Sequence, residues 1–189
     1  MPQLRVTLGG MSDIPETATI ETKRLRLEPF AESHAASLNA INTEPQVIAF
    51  LSDGPPEILE DTLQTIKRVR ERWRTVGYSW WAIIETASDK VIGAACLQHV
   101  ANKPDAELEI GWRLAKAANG NGYATEAGKA AADYAFDVIG VDHIVSVADQ
   151  RNTASHRVME RVGMRFRGIE THYDAPYTTY VMHRSDRPA

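Results

Sequence analysis

Two neighbouring stretches decide the fold. They are a run with alternating carboxylates and a glycine turn that opens a helix: Glu107-Leu108-Glu109-Ile110-Gly111-Trp112-Arg113-Leu114 and Asn119-Gly120-Asn121-Gly122-Tyr123-Ala124-Thr125-Glu126-Ala127. In the first, the alternation of acidic and apolar residues predicts a β-strand over residues 106–114. In the second, the spacing of apolar residues from Tyr123 to Val138 predicts an amphipathic helix.

The glycine turn between that strand and that helix is a candidate anion site. Gly120 and Gly122 allow tight turning and carry no Cβ atom that would keep a ligand from the backbone. The helix that follows directs unpaired N–H groups and the positive end of its dipole into the turn, which suits a pyrophosphate. The turn alone is equally consistent with an ordinary strand-to-helix loop.

Two other phosphate-binding motifs do not fit the same stretch. Thr125 stands where the third glycine of a dinucleotide-binding turn belongs, and the preceding strand carries carboxylates where a central Rossmann strand is nearly all apolar. No Gly-Lys-Ser/Thr follows the turn, so a P-loop is excluded as well.

The segments on either side predict an α/β domain with a mixed α+β sheet. The predicted order is β-α-α-β-β-β-α-β-α-β-β, with strands near residues 22–28, 79–85, 91–97, 106–114, 142–148, 165–171 and 178–183. This order indicates a central sheet of about seven strands with helices on both faces. We expect a single domain over residues 19–187, preceded by a loosely ordered segment over residues 1–18.

Composition narrows the class of protein further. The 189 residues suit one compact domain, and no apolar run approaches the ~20 residues that span a bilayer. The single cysteine, Cys96, lies in an apolar run and is predicted to be a buried, inert thiol, without a disulfide or a Cys-rich zinc site. The net charge of −4 disfavours binding to nucleic acid. We therefore expect a cytoplasmic protein, monomeric or homodimeric, without a metal, a nucleic-acid partner or a membrane partner.

Three separated motifs resemble the GNAT superfamily of acetyltransferases. They are the run Glu109-Ile110-Gly111-Trp112, the turn from Gly120 to Ala127, and Asn152-Thr153-Ala154-Ser155 with Gly163-Met164. Within the superfamily the chain is similar to the RimJ/RimL-like branch of ribosomal-protein N-terminal acetyltransferases, which the opening run Lys23-Arg24-Leu25-Arg26-Leu27 also suits. The resemblance covers roughly residues 20–185.

The resemblance implies the GNAT-like acyl-CoA N-acyltransferase fold and a site for acetyl-CoA. The backbone of Trp112, Arg113 and Leu114 would pair with the pantetheine arm, and Asn152 and Ser155 would lie beside the lower pantetheine and the sulfur. The pyrophosphate would be held by backbone N–H groups of Asn119, Gly120, Asn121, Gly122, Tyr123, Ala124 and Thr125. Ala117 and Asn119 depart from the residues usual in the family, but neither change removes a backbone donor.

The implied reaction moves an acetyl group from acetyl-CoA to a primary amine, on a protein N-terminus or a small molecule, by direct attack in a ternary complex. Such an amine is largely protonated at neutral pH and needs a proton acceptor. Glu109 is the candidate base, with a solvent-facing strand carboxylate as the alternative. Ser155 is the candidate acid, with a plain place in the first turn of a helix capped by Asn152 as the alternative.

Six residues are candidates for the acceptor side of the site: Trp80, Trp81, His99, His172, Tyr173 and Tyr177. Each is also compatible with a place in the core. Two other classes of function stay open from sequence alone. One is a non-catalytic CoA-binding or sensor module of the same fold, and the other is a structural subunit of a larger complex.

Overall fold

A computed structural model describes residues 5–8, 18–50 and 56–187 of the chain. The strands in these ranges are β1 Arg5–Leu8, β2 Ala18–Glu21, β3 Leu25–Pro29, β4 Trp80–Glu85, β5 Lys90–His99, β6 Leu108–Leu114, β7 His143–Ala148, β8 Arg165–His172 and β9 Ala175–His183. The α-helices are α1 Ala35–Asn42, α2 Pro45–Ile48, α3 Leu59–Val76, α4 Tyr123–Tyr134 and α5 Thr153–Val162. Within the same ranges, no helix has the length and apolar character needed to cross a membrane.

The strands of the described ranges form one mixed sheet in the order β1-β2-β3-β4-β5-β6-β7-β9-β8, with helices on both faces. The predicted fold class is therefore confirmed, and the sheet of the described residues has nine strands, two more than the seven that the sequence predicted. Residues 22–24, predicted as strand, belong to a tight turn in which the Thr22 hydroxyl accepts a hydrogen bond from the Leu25 N–H at 3.0 Å. This turn divides the first predicted strand into β2 and β3.

The predicted loose segment over residues 1–18 is only partly described. Arg5–Leu8 form β1, which pairs antiparallel with β2 from Arg5 opposite Glu21 to Leu8 opposite Ala18. Residues 1–4 and 9–17 lie outside the described residues, so loose order there stays a prediction. Residues 5–8 alternate polar and apolar residues, but a run of four is too short to predict a strand, and its pairing depends on β2, which lies elsewhere in the chain.

The pair β6–β7 is the one parallel pair among the described strands, and its pairing is short. Glu109 opposite Val145 is its only registered position. On the other side of β6, pairing with β5 runs without a break from Gly93 opposite Leu114 to His99 opposite Leu108. Beyond Glu109, β6 and β7 therefore diverge, and a cleft opens between them.

An aromatic cluster joins α3, β4 and α4 beneath the sheet. Trp73, Trp81 and Tyr134 are fully buried, and Trp73 and Tyr134 both meet Trp81 edge to face at centroid distances of 5.0 and 5.4 Å. The polar atoms of Trp81 and Tyr134 have hydrogen-bond partners. Trp81 Nε1 donates to Ala18 O at 2.7 Å, and the Tyr134 hydroxyl donates to Gly77 O at 2.8 Å. Trp81 therefore belongs to the core and not to the acceptor side of a site.

The middle of α4 packs closely against the sheet at Gly128. A Cβ atom at this position would lie 2.9 Å from Val162 Cγ2 of α5 and 3.0 Å from the Trp112 ring of β6. Only a residue without a side chain lets the helix approach both neighbours this closely. The position of the turn before α4 relative to the cleft thus depends on this contact.

We expect Gly128→Val to lower the free energy of unfolding by about 1–3 kcal/mol, because the added methyl groups overpack the contact with Trp112 and Val162. The measurement is urea unfolding followed by circular dichroism. Lys129→Val is the matched control, since Lys129 is exposed on the same helix and pays only the helix-propensity cost of a β-branched residue. Equal effects at the two positions would contradict the packing argument.

Candidate active site

The divergence of β6 and β7 creates a cleft of about 480 Å³. β6 contributes Glu109 and Gly111 through Leu114, and β7 contributes Ser146 through Ala148. The remaining walls come from α2, β4, β5, the start of α4, α5 and the β8–β9 hairpin, with lining residues that include Gln46, Val47, Phe50, Trp80, Cys96, Gln98, Asn119, Ala124, Asn152, Ser155, Tyr173 and Tyr177. The cleft therefore brings together segments from most of the chain.

The glycine turn stands at the edge of this cleft, between Asn119 and Ala124, which line it. Gly120 and Gly122 have φ angles of 81° and 79°, in the left-handed region that favours glycine, and a Cβ at Gly120 would meet nothing within 4 Å. Glu126 is the first α4 residue whose N–H has a described helical partner, Gly122 O at 3.1 Å. The N–H groups of residues 123–125 are thus available to an anion, together with the positive end of the helix dipole.

An ion-pair network fixes the same turn to the β2–β3 connection. The Glu126 carboxylate accepts hydrogen bonds from Thr22 Oγ1 at 2.7 Å and from the Arg24 backbone N–H at 2.9 Å, and it pairs with the Arg24 guanidinium. Arg24 also donates to Asn121 O at 2.9 Å and lies over the Tyr123 ring at 4.6 Å. Sequence reasoning missed this role, because Arg24 and Glu126 are 102 residues apart and no local pattern relates them.

Glu109 lies at the point where β6 and β7 separate, with only 7% of its surface exposed. Its Oε2 accepts a hydrogen bond from the Tyr173 hydroxyl at 2.8 Å, and a backbone hydrogen bond from Val147 also reaches the carboxylate. Burial raises the pKa of Glu109 to about 7, against the opposing effect of these two hydrogen bonds. The alternative of a solvent-facing carboxylate is wrong, and a group with this pKa suits proton transfer near neutral pH.

The neighbouring carboxylate, Glu107, has the opposite environment. It pairs with Arg167 at 2.7 Å and with His143 at 2.9 Å, and the hydrogen bond from Arg167 is the main cause that lowers its pKa. Glu107 does not line the cleft. The alternation along the strand thus separates a carboxylate in a surface ion-pair network from one buried in the site.

Tyr173 reaches Glu109 through an unusual backbone. Tyr173 and Asp174 have φ angles of 51° and 60° in the tight turn between β8 and β9. A bulky residue in the left-handed region is strained, and such strain concentrates at functional sites. The Tyr173 ring also meets Tyr177 edge to face at 5.8 Å, so the hairpin presents two tyrosines to the cleft.

Three of the six predicted acceptor-side residues line the cleft: Trp80, Tyr173 and Tyr177. The other three do not. Trp81 is in the core, His99 contacts the Tyr78 hydroxyl and Ala106 O, and His172 contacts Thr179 Oγ1. Adjacent strand residues point to opposite faces, and sequence alone did not decide which of Trp80 and Trp81 faces the core.

Asn152 and Ser155 line the cleft at the start of α5. Asn152 Oδ1 caps the helix by accepting a hydrogen bond from the Ser155 N–H at 3.1 Å. The capping role is therefore confirmed, and it is compatible with a cofactor contact. Within the described ranges no hydrogen bond occupies the Ser155 hydroxyl, which leaves it available as a donor toward the cleft.

The predicted cofactor residues fall into two groups. Trp112, Arg113, Leu114, Asn119, Ala124, Asn152 and Ser155 line the cleft, and Gly120, Asn121, Gly122, Tyr123 and Thr125 form the turn and helix start beside it. Sequence reasoning missed the contribution of α2, since contact between α2 and the cleft arises only in the folded chain. Over the residues described, no cluster of three His, Cys, Asp or Glu side chains could hold a metal ion.

The cleft thus combines free N–H groups that suit a phosphorylated co-substrate with a buried carboxylate that can accept a proton, the two parts that group transfer to an amine requires. The family model for the Acetyltransferase (GNAT) domain matches residues 24–165. The chain belongs to this GNAT acetyltransferase family.

Individual relatives and solved structures are similar to the chain over most of its length. YkkB of Bacillus subtilis (strain 168) is 28% identical over 163 residues, which are 84% of this chain and 92% of that protein. The crystal structure of an acetyltransferase from Agrobacterium tumefaciens shares 27% identity at a TM-score of 0.76, over 95% of this chain and 99% of that one. RimL, a ribosomal alpha-N-protein acetyltransferase in complex with Coenzyme A, has 18% identity and a TM-score of 0.71 over 86% and 95% of the two chains, a likeness of fold.

The raised pKa of Glu109 predicts a characteristic pH dependence of stability. Between about pH 4.5 and 7 the folded state keeps the Glu109 proton while the unfolded chain loses it, so this group lowers stability as the pH rises. We expect Glu109→Gln to be nearly neutral near pH 4 and to stabilise the protein by about 1–3 kcal/mol at pH 8, as measured by urea unfolding.

Glu107→Gln is the matched control and has the opposite sign. Because the pKa of Glu107 is lowered in the folded state, its ionised form contributes stability above its unfolded pKa. This variant should be less stable than the wild type at pH 8. The burial argument fails if the two substitutions change stability in the same direction.

Proposed function

We propose that this acetyltransferase transfers the acetyl group of acetyl-CoA to a primary amine by direct attack within a ternary complex. The observation that carries the proposal is the position of Glu109. It is a buried carboxylate with a pKa of about 7, in the same cleft as a helix N-terminus whose free N–H groups suit an anion. A base near the reacting nitrogen and a donor-rich site for a phosphorylated co-substrate are the two parts that amine acetylation needs.

The residues of the cleft fit acetyl-CoA, which supplies an acetyl group activated as a thioester. Free N–H groups at residues 123–125 suit its pyrophosphate, and the open space at Gly120 lets the phosphates approach the backbone. Beyond Glu109, the β7-facing edge of β6 has no registered partner on β7, so the backbone of residues 112–114 can pair with the amides of a pantetheine arm as an added strand does. The fold shared with RimL, whose structure contains Coenzyme A, supports the same assignment.

Glu109 and Ser155 have complementary roles in this proposal. As the amine nitrogen bonds to the acetyl carbon and the C–S bond breaks, Glu109 accepts the proton that the nitrogen loses, directly or through water. The Ser155 hydroxyl donates a hydrogen bond to the departing sulfur. Tyr173 orients the Glu109 carboxylate through its hydrogen bond at 2.8 Å.

The acceptor is proposed as a class, a primary amine on a small molecule or at a protein N-terminus. The RimJ/RimL-like motifs favour a protein N-terminus, while the aromatic residues that line the cleft also suit a small amine. Cytoplasmic location and a monomeric or homodimeric state stay predictions.

Acetyl-CoA should stabilise the protein, by about 2.7 kcal/mol at 100 times its dissociation constant, whereas ATP and NAD should do so far less. The measurement is a thermal shift with calorimetric binding. Gly120→Val should weaken binding severely, because the side chain enters the space that the pyrophosphate needs. Gly140→Val is the matched control, since Gly140 also has a left-handed φ, 86°, and open space around its Cβ position. Unchanged affinity in folded Gly120→Val would locate the phosphates elsewhere.

Turnover should separate Glu109 from Ser155. With a saturating amine, Glu109→Gln should lower kcat about 10²–10⁴-fold and remove an inflection near pH 7, and the loss should shrink as the pH rises and free amine accumulates. Ser155→Ala should show a deficit that persists or grows toward pH 10. Glu107→Gln, outside the cleft, is the control. Wild-type turnover in Glu109→Gln would exclude Glu109 as the base, and acetyl-CoA binding without thiol release from any amine would favour the non-catalytic module.

A further inference from the structure

Arg113 is a cation in the cleft without an anion. Its guanidinium carbon lies 4.4 Å from the centroid of the Trp80 ring, and its Nε is buried without a hydrogen-bond partner. In the described part of the chain, no carboxylate comes within the 4.0 Å of an ion pair. Glu57 acts on Arg113 only at longer range, and Glu57 itself accepts a hydrogen bond from Asn42 at 2.7 Å.

Two other arginines near the site have carboxylate partners. Arg24 is held by Glu126, and Arg167 by Glu107 and Glu170. A half-buried guanidinium loses hydration and gains nothing in return unless an anion or hydrogen-bond acceptor reaches it. Burial accordingly lowers the pKa of Arg113. Arg113 lacks such a partner, so we expect a ligand to supply the anion that its guanidinium binds.

Strand alternation places Arg113 on the same face of β6 as Glu109. Between them lies Gly111, whose Cβ position is 3.1 Å from Cys96 Sγ on β5, so the floor between the carboxylate and the cation consists of two small residues. The two charges act on the same thiol, since Glu109 raises the pKa of Cys96 and Arg113 lowers it, beside the larger raising effect of burial. The space over Gly111 and Cys96 is thus bounded by Glu109 at one end and Arg113 at the other.

The face on which Arg113 lies separates it from the phosphate site. α4 packs against the opposite face of β6, where Gly128 meets the Trp112 ring. The N–H groups at the start of α4 therefore lie on the Trp112 side of β6, opposite Arg113. Arg113 projects toward Trp80 on β4, on the side of the cleft that α2 and the two tyrosines also line. An anion at Arg113 belongs to the acceptor and not to the pyrophosphate.

We propose that the acceptor is a small amino acid-like molecule, whose carboxylate binds Arg113 while its amine faces Glu109. The proposal rests on the acetyl transfer proposed above. A guanidinium offers a planar fork of N–H donors that matches a carboxylate, and Trp80 holds that plane in place. The aromatic walls formed by Trp80, Tyr173 and Tyr177 suit an apolar body between the two charged ends.

The test compares amines that differ only in a carboxylate, using thiol release at saturating acetyl-CoA. The pairs are L-phenylalanine with 2-phenylethylamine and 4-aminobutyrate with propylamine. The wild type should prefer the carboxylate-bearing member of at least one pair by about 10- to 100-fold in kcat/KM, the size expected for hydrogen bonds to a charged group. Arg113→Met removes the guanidinium but keeps the backbone groups assigned to the pantetheine arm, and it should abolish this preference mainly through the KM of the amino acid.

Arg113→Lys should retain part of the preference, because it keeps the charge but not the fork. The matched control is Arg68→Met, which removes an exposed arginine hydrogen-bonded to Thr65 at 2.8 Å on α3 and should change nothing. Arg113→Met replaces an uncompensated cation with an apolar side chain of similar length, so the fold should persist, and circular dichroism checks this. The affinity for acetyl-CoA, measured by calorimetry, should be retained in both Arg113 variants, because the proposed contact with the pantetheine arm is made by the Arg113 backbone and not by its side chain.

Three outcomes would overturn this inference alone. Equal kcat/KM for both members of each pair in the wild type would show that no carboxylate is recognised. A preference that survives in Arg113→Met would assign recognition to other residues. Weaker acetyl-CoA binding in Arg113→Met, with the preference intact, would assign Arg113 to the cofactor. Thiol release from no amine at all would instead overturn the proposed acetyl transfer, and this inference with it.

Discussion

The single registered position between the parallel strands β6 and β7, Glu109 opposite Val145, is the constraint on which the site depends. Parallel strands run their carboxyl ends to the same edge of a sheet, so the helices that follow them, α4 and α5, both begin at the open end of the cleft. One divergence therefore exposes a strand edge, directs two helix N-termini to one space, and leaves Glu109 at its narrow end. Gly128 and the pair of Arg24 with Glu126 then hold α4 in place against it.

Some charged side chains around the site form ion pairs, and others have no partner of opposite charge. Glu107 with Arg167 and Glu126 with Arg24 form ion pairs that connect separate parts of the sheet. Glu109 and Arg113 have no such partner among the described residues, although both lie on β6 inside the cleft. A fold tolerates incompletely satisfied groups of this kind where binding or chemistry completes them, which is why perturbed and unpaired charges indicate functional sites.

Left-handed backbone conformations are found in the same region. Gly120 and Gly122 take left-handed φ at the start of α4, and Tyr173 does so in the β8–β9 turn without the freedom of glycine. In the first case glycine takes this conformation without strain and clears space for a ligand, and in the second a strained backbone carries a phenol to the Glu109 carboxylate. The packing of the sheet and the hairpin compensates for the strain at Tyr173, and the result of that strain is the position of its hydroxyl in the cleft.

Sequence by itself determined the elements whose patterns are local. The alternation at residues 107–110, the glycine turn and the helical period from Tyr123 predicted β6, its turn and α4, because strand and helix periods are properties of adjacent residues. Tertiary structure alone decided which carboxylate is buried, which of Trp80 and Trp81 reaches the cleft, and that Arg24 holds Glu126. It also decided the two additional strands, β1 and the separate β2. Burial and pairing depend on which residues lie opposite in space, and the residues adjacent along the chain do not specify these spatial neighbours.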